Sequence, residues 1–319
     1  MKQHALPSAP PPFVRRPPRS APAARNFAAM VLLAVMWGLS IPVTKLGLLT
    51  LPPLTLTAVR FAVAVPLLFL FAVGRRPLPR RALPRVAALG AVGIGVGQVA
   101  QAFGVEGTAA SVGTVISATL PVFIVVFAAV RLKQPVAGRQ RIGLLAAFVG
   151  IAVVASGDGQ GAGAMLHSSA SGAALVLLSA VAIAFYYVWS VELTRDHGTA
   201  SVAAWSTLFG FVALLPWAGW EMWHTPMAVT AQALAAAAYL GVVVTVAGLF
   251  LWLHLLRTVP ARVAAGVQYL QPVVGIAAAS AMFGDRLGPP FAVGVVLILG
   301  GLALAVATRR EPEEAGPHG

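Results

Sequence analysis

Ten apolar runs constrain this chain more than any other feature: 27–49, 53–73, 86–106, 109–130, 140–157, 172–193, 200–219, 233–256, 262–282 and 290–307. A helix needs about 20 apolar residues to cross a hydrocarbon layer roughly 30 Å thick. Each run is near that length, so the spacing predicts an all-α integral membrane protein with ten transmembrane helices. No soluble fold of 319 residues could hide them, because 59% of the chain is apolar and only 10% is charged, against about half and a quarter in an ordinary domain. Several connectors are only a few residues long, which makes those neighbours antiparallel hairpins. Pro52, Pro53, Pro289 and Pro290 stand near expected helix starts, where a missing N–H costs no hydrogen bond.

Outside the runs the chain is polar and basic. Residues 1–26, with PSAPPP and RRPPR, are expected to form a disordered cytoplasmic tail, since such a segment cannot bury enough apolar surface to fold. Residues 158–171 read as an external linker and 309–319 as a second cytoplasmic tail. The net charge of +13 could suggest nucleic acid, but the basic residues are spread over loops. Nineteen of the 22 Lys and Arg fall on one predicted face, and the positive-inside rule makes that face cytoplasmic, with both termini on it. The expected partners are therefore membrane lipid and a small-molecule solute, not nucleic acid, with a homodimer left open. The chain has no Cys, which excludes disulfides, thiolate metal ligands and a thiol nucleophile.

The two halves of the chain match each other. An offset of 151 aligns LGAVGIGVGQ at 89–98 with LGVVVTVAGL at 240–249 and continues without a gap, giving 12 identities in 66 positions. It pairs Pro121 with Pro272, Gln134 with Asp285, Gly143 with Gly294 and Gly150 with Gly301. Each unit holds five spans, an odd number, so the second copy must enter from the opposite face. The fold expected is thus two inverted five-helix repeats, 27–157 and 172–308. Such repeats build secondary transporters that alternate access around a midplane site.

MWGLSIPVTK in the first span, Arg60 within LTAVRFAVAVPLL, the Pro-Val pairs at 121–122 and 272–273, and the glycine-spaced ends of both units resemble the EamA-type repeat of the drug/metabolite transporter superfamily. The family pattern carries Glu after the fourth and ninth spans, where this chain has Gln134 and Asp285. The resemblance implies a ten-helix carrier of the inner (plasma) membrane that exports metabolites, amino acids or drugs.

Polar groups inside a span are costly and should face a cavity or a partner. Lys45, Arg60 and Glu106 fall toward the outer ends of the first three spans and are expected to meet as one compensated cluster. If Lys45 and Arg60 face the pathway, they attract a carboxylate or phosphate; the competing reading for Lys45 and Glu106 is a structural ion pair. Gln98 with Gln101, and Gln268 with Gln271, stand three residues apart on one helix face and suit a neutral or zwitterionic solute. Ser40 and Thr44 flank Pro42, which frees backbone carbonyls within the membrane. Trp37, Tyr186, Trp252 and Tyr269 supply aromatic walls. Glu106 and His254 are the candidates for proton coupling, and Glu192 is expected to pair with Arg195 three residues on. No catalytic or metal-ligating constellation stands out in the sequence and no cofactor is expected, so an enzyme is disfavoured. The alternative is a membrane-embedded enzyme or receptor-like module without solute flux, and a dimeric channel is a third reading.

Overall fold

The computed structural model describes residues 21–74, 77–132, 138–156, 169–259, 267–285 and 287–306. Every regular element among them is helical. The α-helices are α1 Ala21–Gly38, α2 Ser40–Gly47, α3 Pro53–Ala72, α4 Leu83–Leu89, α5 Gly97–Glu106, α6 Ala110–Ser117, α7 Leu120–Leu132 and α8 Gly138–Ser156. They continue with α9 Ala170–Trp189, α10 Val191–His197, α11 Thr199–His224, α12 Ala231–Ala238, α13 Gly248–Thr258, α14 Val267–Phe283 and α15 Pro289–Val306. Two π-helical stretches, Gly90–Val96 and Tyr239–Ala247, join α4 to α5 and α12 to α13.

Seven continuous stretches are long and apolar enough to cross a bilayer: Ala24–Gly47, Pro53–Ala72, Arg80–Glu106, Ala110–Arg131, Ala170–Trp189, Thr199–His224 and Ala231–Leu255. The protein is therefore a multi-pass membrane protein. Helices α8, α14 and α15 occupy the described parts of the three other expected runs, and the apolar portions of α14 and α15, Leu270–Phe283 and Pro289–Leu304, are shorter than the other seven.

Proline explains two breaks. Pro42 lacks the N–H that the Gly38 carbonyl would accept, and α1 gives way to α2 at Leu39. Pro121 does the same to Ser117, and the chain is interrupted between α6 and α7 at 118–119. In both places the ring also crowds the carbonyl four residues back.

Lipid changes what holds the helices together. Side chains such as Val296, 70% exposed, and Leu70, 66% exposed, lose nothing by facing hydrocarbon. Association instead relies on van der Waals packing through small residues. Helices α8 and α15 pack closely. A Cβ on Gly150 would lie 2.8 Å from the Gly294 carbonyl oxygen, and one on Gly301 would lie 2.5 Å from that of Gly143. Helix α3 packs on α11, α5 on α9 and α1 on α14, with Phe61 of α3 and Leu33 of α1 fully enclosed.

Two carboxylates serve as remote helix caps. Glu221, 5% exposed near the end of α11, accepts from the Leu54 N–H at 3.2 Å and the Thr55 N–H at 2.7 Å. Asp285 accepts from the Ser111 N–H at 2.8 Å at the start of α6. Each supplies the anion that the exposed donors and positive end of a helix favour.

Candidate functional site

The site is built around Arg60, seven residues into α3 and 8% exposed. Its Nη1 donates to Gln98 Oε1 on α5 at 2.6 Å. Its Nε and Nη2 donate to Thr245 Oγ1, on the second π-helical stretch, at 3.2 and 3.1 Å. A guanidinium has five N–H donors. Among the described residues, one on each terminal nitrogen is left without a partner and no carboxylate lies within ion-pair distance. The cation is thus buried and, among those residues, held by neutral groups alone.

Thr245 is itself fixed, donating to the Leu240 carbonyl at 2.8 Å, a bond across five residues that the wide π turn makes room for. Beside it, Trp37 Nε1 donates to the Val244 carbonyl at 3.2 Å, and Trp37 packs on Trp252 with ring centroids 5.9 Å apart. Gly248 lies against the Trp37 indole, and its lack of a Cβ makes that approach possible. Tyr239 donates to the Met36 carbonyl at 3.0 Å, tying the start of the same stretch to α1.

Arg60 and Gln98 therefore meet as bonded partners, and Trp37 and Trp252 pack on each other. The expected three-way cluster does not form. Lys45, 4% exposed, donates to the carbonyls of Val105, Glu106 and Thr108 at 2.9, 2.8 and 2.8 Å. Three donors meet three carbonyls at the end of α5, where a helix terminus is negative. Its ammonium meets the Glu106 backbone and caps a helix, with the Glu106 and Asp285 charges near enough to act on it, and Arg60 takes no part. Glu106 is exposed.

Thr44 is buried and turned onto its own helix, donating to the Ser40 carbonyl at 2.7 Å. Gln101 and Gln271 are half-buried. The side chains of Gln268 and Tyr269, together with Gln134, lie outside the described residues. Tyr186 is 8% exposed and packs over Gly93 of the first π-helical stretch. His254 is exposed and lines, with Thr199, Phe250 and Arg257, a separate cavity of about 210 Å³. Glu192 pairs with Arg131 at 3.0 Å; Arg195, its expected partner, approaches Asp196 at 3.8 Å. The correction has a geometric reason: Arg131 is anchored 5.3 Å over the Trp189 ring and so is already placed beside Glu192.

Sequence reasoning missed Thr245 and Tyr239. The signal was present, since Thr245 is the one hydroxyl between 240 and 257, but nothing local said where it pointed.

The model of the EamA-like transporter family matches residues 26–156 and 170–307. A relative from Streptantibioticus cattleyicolor, described as a probable terminal-alkyne amino-acid exporter, is 29% identical over 90% of this chain and 97% of its own. Another, an uncharacterized inner membrane transporter of Escherichia coli (strain K12), is 26% identical over 85% of this chain and 88% of its own. One solved crystal structure is similar with a TM-score of 0.59 at 19% identity, over 91% of this chain and 98% of the other. That likeness bears on the fold alone.

Proposed function

We propose, from the premise that this chain belongs to the EamA-like transporter family, that it exports small carboxylate-bearing metabolites, amino acids among them, across the inner membrane. One observation carries the substrate class: a buried Arg60 that, among the described residues, has a free N–H on each terminal nitrogen and only neutral partners. Terminal guanidinium nitrogens are the fork that reads a carboxylate by two parallel bonds. An anion entering there completes the charge balance the protein leaves open. Trp37 and Trp252 offer the rest of the solute an apolar, aromatic wall. The exporter name of the 29% identical relative points the same way.

Transport by alternating access follows if 27–157 and 172–308 are inverted halves joined by 158–171. Glycine packing supports that reading. The contact of Gly150 with Gly294, shifted by 151 residues in one direction and back in the other, becomes the contact of Gly301 with Gly143. Such reciprocity is what a two-fold axis produces. The two π-helical stretches end immediately before Gly97 and Gly248, again 151 apart. Both termini are placed in the cytoplasm by the basic loops.

The test is counterflow in proteoliposomes with labelled phenylalanine and its decarboxylated analogue phenethylamine, within a wider amino-acid panel. Saturable counterflow of carboxylates, lost in Arg60→Gln at wild-type incorporation, is expected. Equal transport of phenylalanine and phenethylamine would remove the carboxylate reading, and no flux of any solute would favour a module that carries nothing.

A further inference from the structure

π-Helical stretches as long as Tyr239–Ala247 are rare, because their wide turns pack poorly and are held open only by outside contacts. Here those contacts come from other helices and converge on the candidate site. Trp37 reaches the Val244 carbonyl, Tyr239 holds the Met36 carbonyl, and Arg60 makes two bonds to Thr245. Thr245 in turn spans the wide turn by its bond to the Leu240 carbonyl. Gly241 brings the same stretch against α3, where a Cβ would lie 2.8 Å from the Arg60 carbonyl oxygen.

We infer that Thr245 is a positioning residue and that the stretch Tyr239–Ala247 is a solute-released latch: with no solute bound, Arg60 holds Thr245 and keeps the π turn open, and a solute carboxylate takes Arg60 from Thr245. The inference rests on the carboxylate reading above. A hydroxyl offers Arg60 one neutral oxygen, whereas a carboxylate offers two anionic oxygens that match the fork and pair with its charge. An arriving carboxylate, taken first by the free N–H on each terminal nitrogen, draws the guanidinium toward itself and away from the Thr245 hydroxyl. Once Arg60 has left, α3 no longer braces the stretch through Thr245, the bond to the Leu240 carbonyl stands alone, and the stretch rewinds toward the ordinary α form. A one-residue change of register turns everything after it by about 100°. Helix α13 carries Trp252, so the rewinding swings that ring away from Trp37 and opens the wall of the site. The latch thus couples occupancy of Arg60 to movement of α13, which continues from the π-helical stretch.

The chain has no Cys, so the full-length protein takes spin labels without background substitutions. Labels at Leu234→Cys and Arg257→Cys, exposed positions before and after the π stretch, report its length in detergent or vesicles. Phenylalanine binding, followed by equilibrium dialysis, is expected to lengthen the label distance, since a narrower helix is longer for the same residues. Thr245→Val removes the hydroxyl with little change of shape. It should show the lengthened distance without solute, bind phenylalanine about 3- to 10-fold more tightly, and exchange it about tenfold more slowly. Thr245→Ser should restore the wild-type behaviour. A brace with no latch function would weaken binding in Thr245→Val, and that result overturns the inference. Phenylalanine binding with no change of distance overturns the latch alone. If no carboxylate in the panel binds, the substrate reading and the latch fall together.

Discussion

Two buried cations of the same sign, fifteen positions apart, have opposite roles, and their partners decide which. Lys45 has all three donors on carbonyls, so its loss leaves buried acceptors bare, each at about 1–3 kcal/mol. Lys45→Met is expected to lower thermal stability by about 2 kcal/mol or more while any folded fraction keeps its solute preference; a thermal-shift series with counterflow on the same samples checks both. Arg60 has donors to spare, and its worth lies in the planar fork. Arg60→Lys keeps the charge and loses the fork, so counterflow of phenylalanine should fall about 10- to 100-fold, the equivalent of one charge-assisted hydrogen bond. Wild-type counterflow in Arg60→Lys would show that charge alone suffices. Both cations were visible in the sequence as costly groups within spans. Their division of labour was not, because Lys45 finds its carbonyls about 60 residues away and Arg60 finds Thr245 at a separation of 185 residues.

At the level of helices, small residues set how near two backbones can come. Gly150 on α8 and Gly294 on α15 meet backbone to backbone, and the β-branched side chains of Ile298 and Val154 also crowd the space an added Cβ would take. Gly150→Leu is expected to abolish the single symmetric peak in size-exclusion chromatography. Gly300, with nothing within 4 Å of an added Cβ, makes the matched control, and Gly300→Ala should hold or raise stability by up to about 1 kcal/mol through helix propensity. Equal behaviour of the two variants would mean the α8–α15 contact is not a point of close packing. The repeat offset had already marked Gly143, Gly150, Gly294 and Gly301. The breaks at Leu39 and at 118–119 were foreshadowed by Pro42 and Pro121. The π-helical stretches left no such trace, since neither 90–96 nor 239–247 contains a proline or a charged residue.

For the whole molecule, the proposed topology expects the loops after the odd-numbered spans to lie on one side. The turn after α2 touches the segment before α12, with the Ala228 N–H on the Thr50 carbonyl at 3.1 Å. The Ser169 N–H before α9 reaches the Gly107 carbonyl at 2.9 Å. All four segments are external in the proposed topology. A fluorescent protein fused after Gly319 is accordingly expected to fold and fluoresce, and alkaline phosphatase fused after Thr225 to be active; the reverse pair would invert the orientation. Membrane crossing was legible in the sequence because a bilayer judges each segment by its own length and polarity. The partners of Lys45, Arg60 and Glu221 were decided only by tertiary structure, because they depend on which backbone and side-chain atoms remote helices bring within hydrogen-bond range, and no local periodicity encodes that meeting.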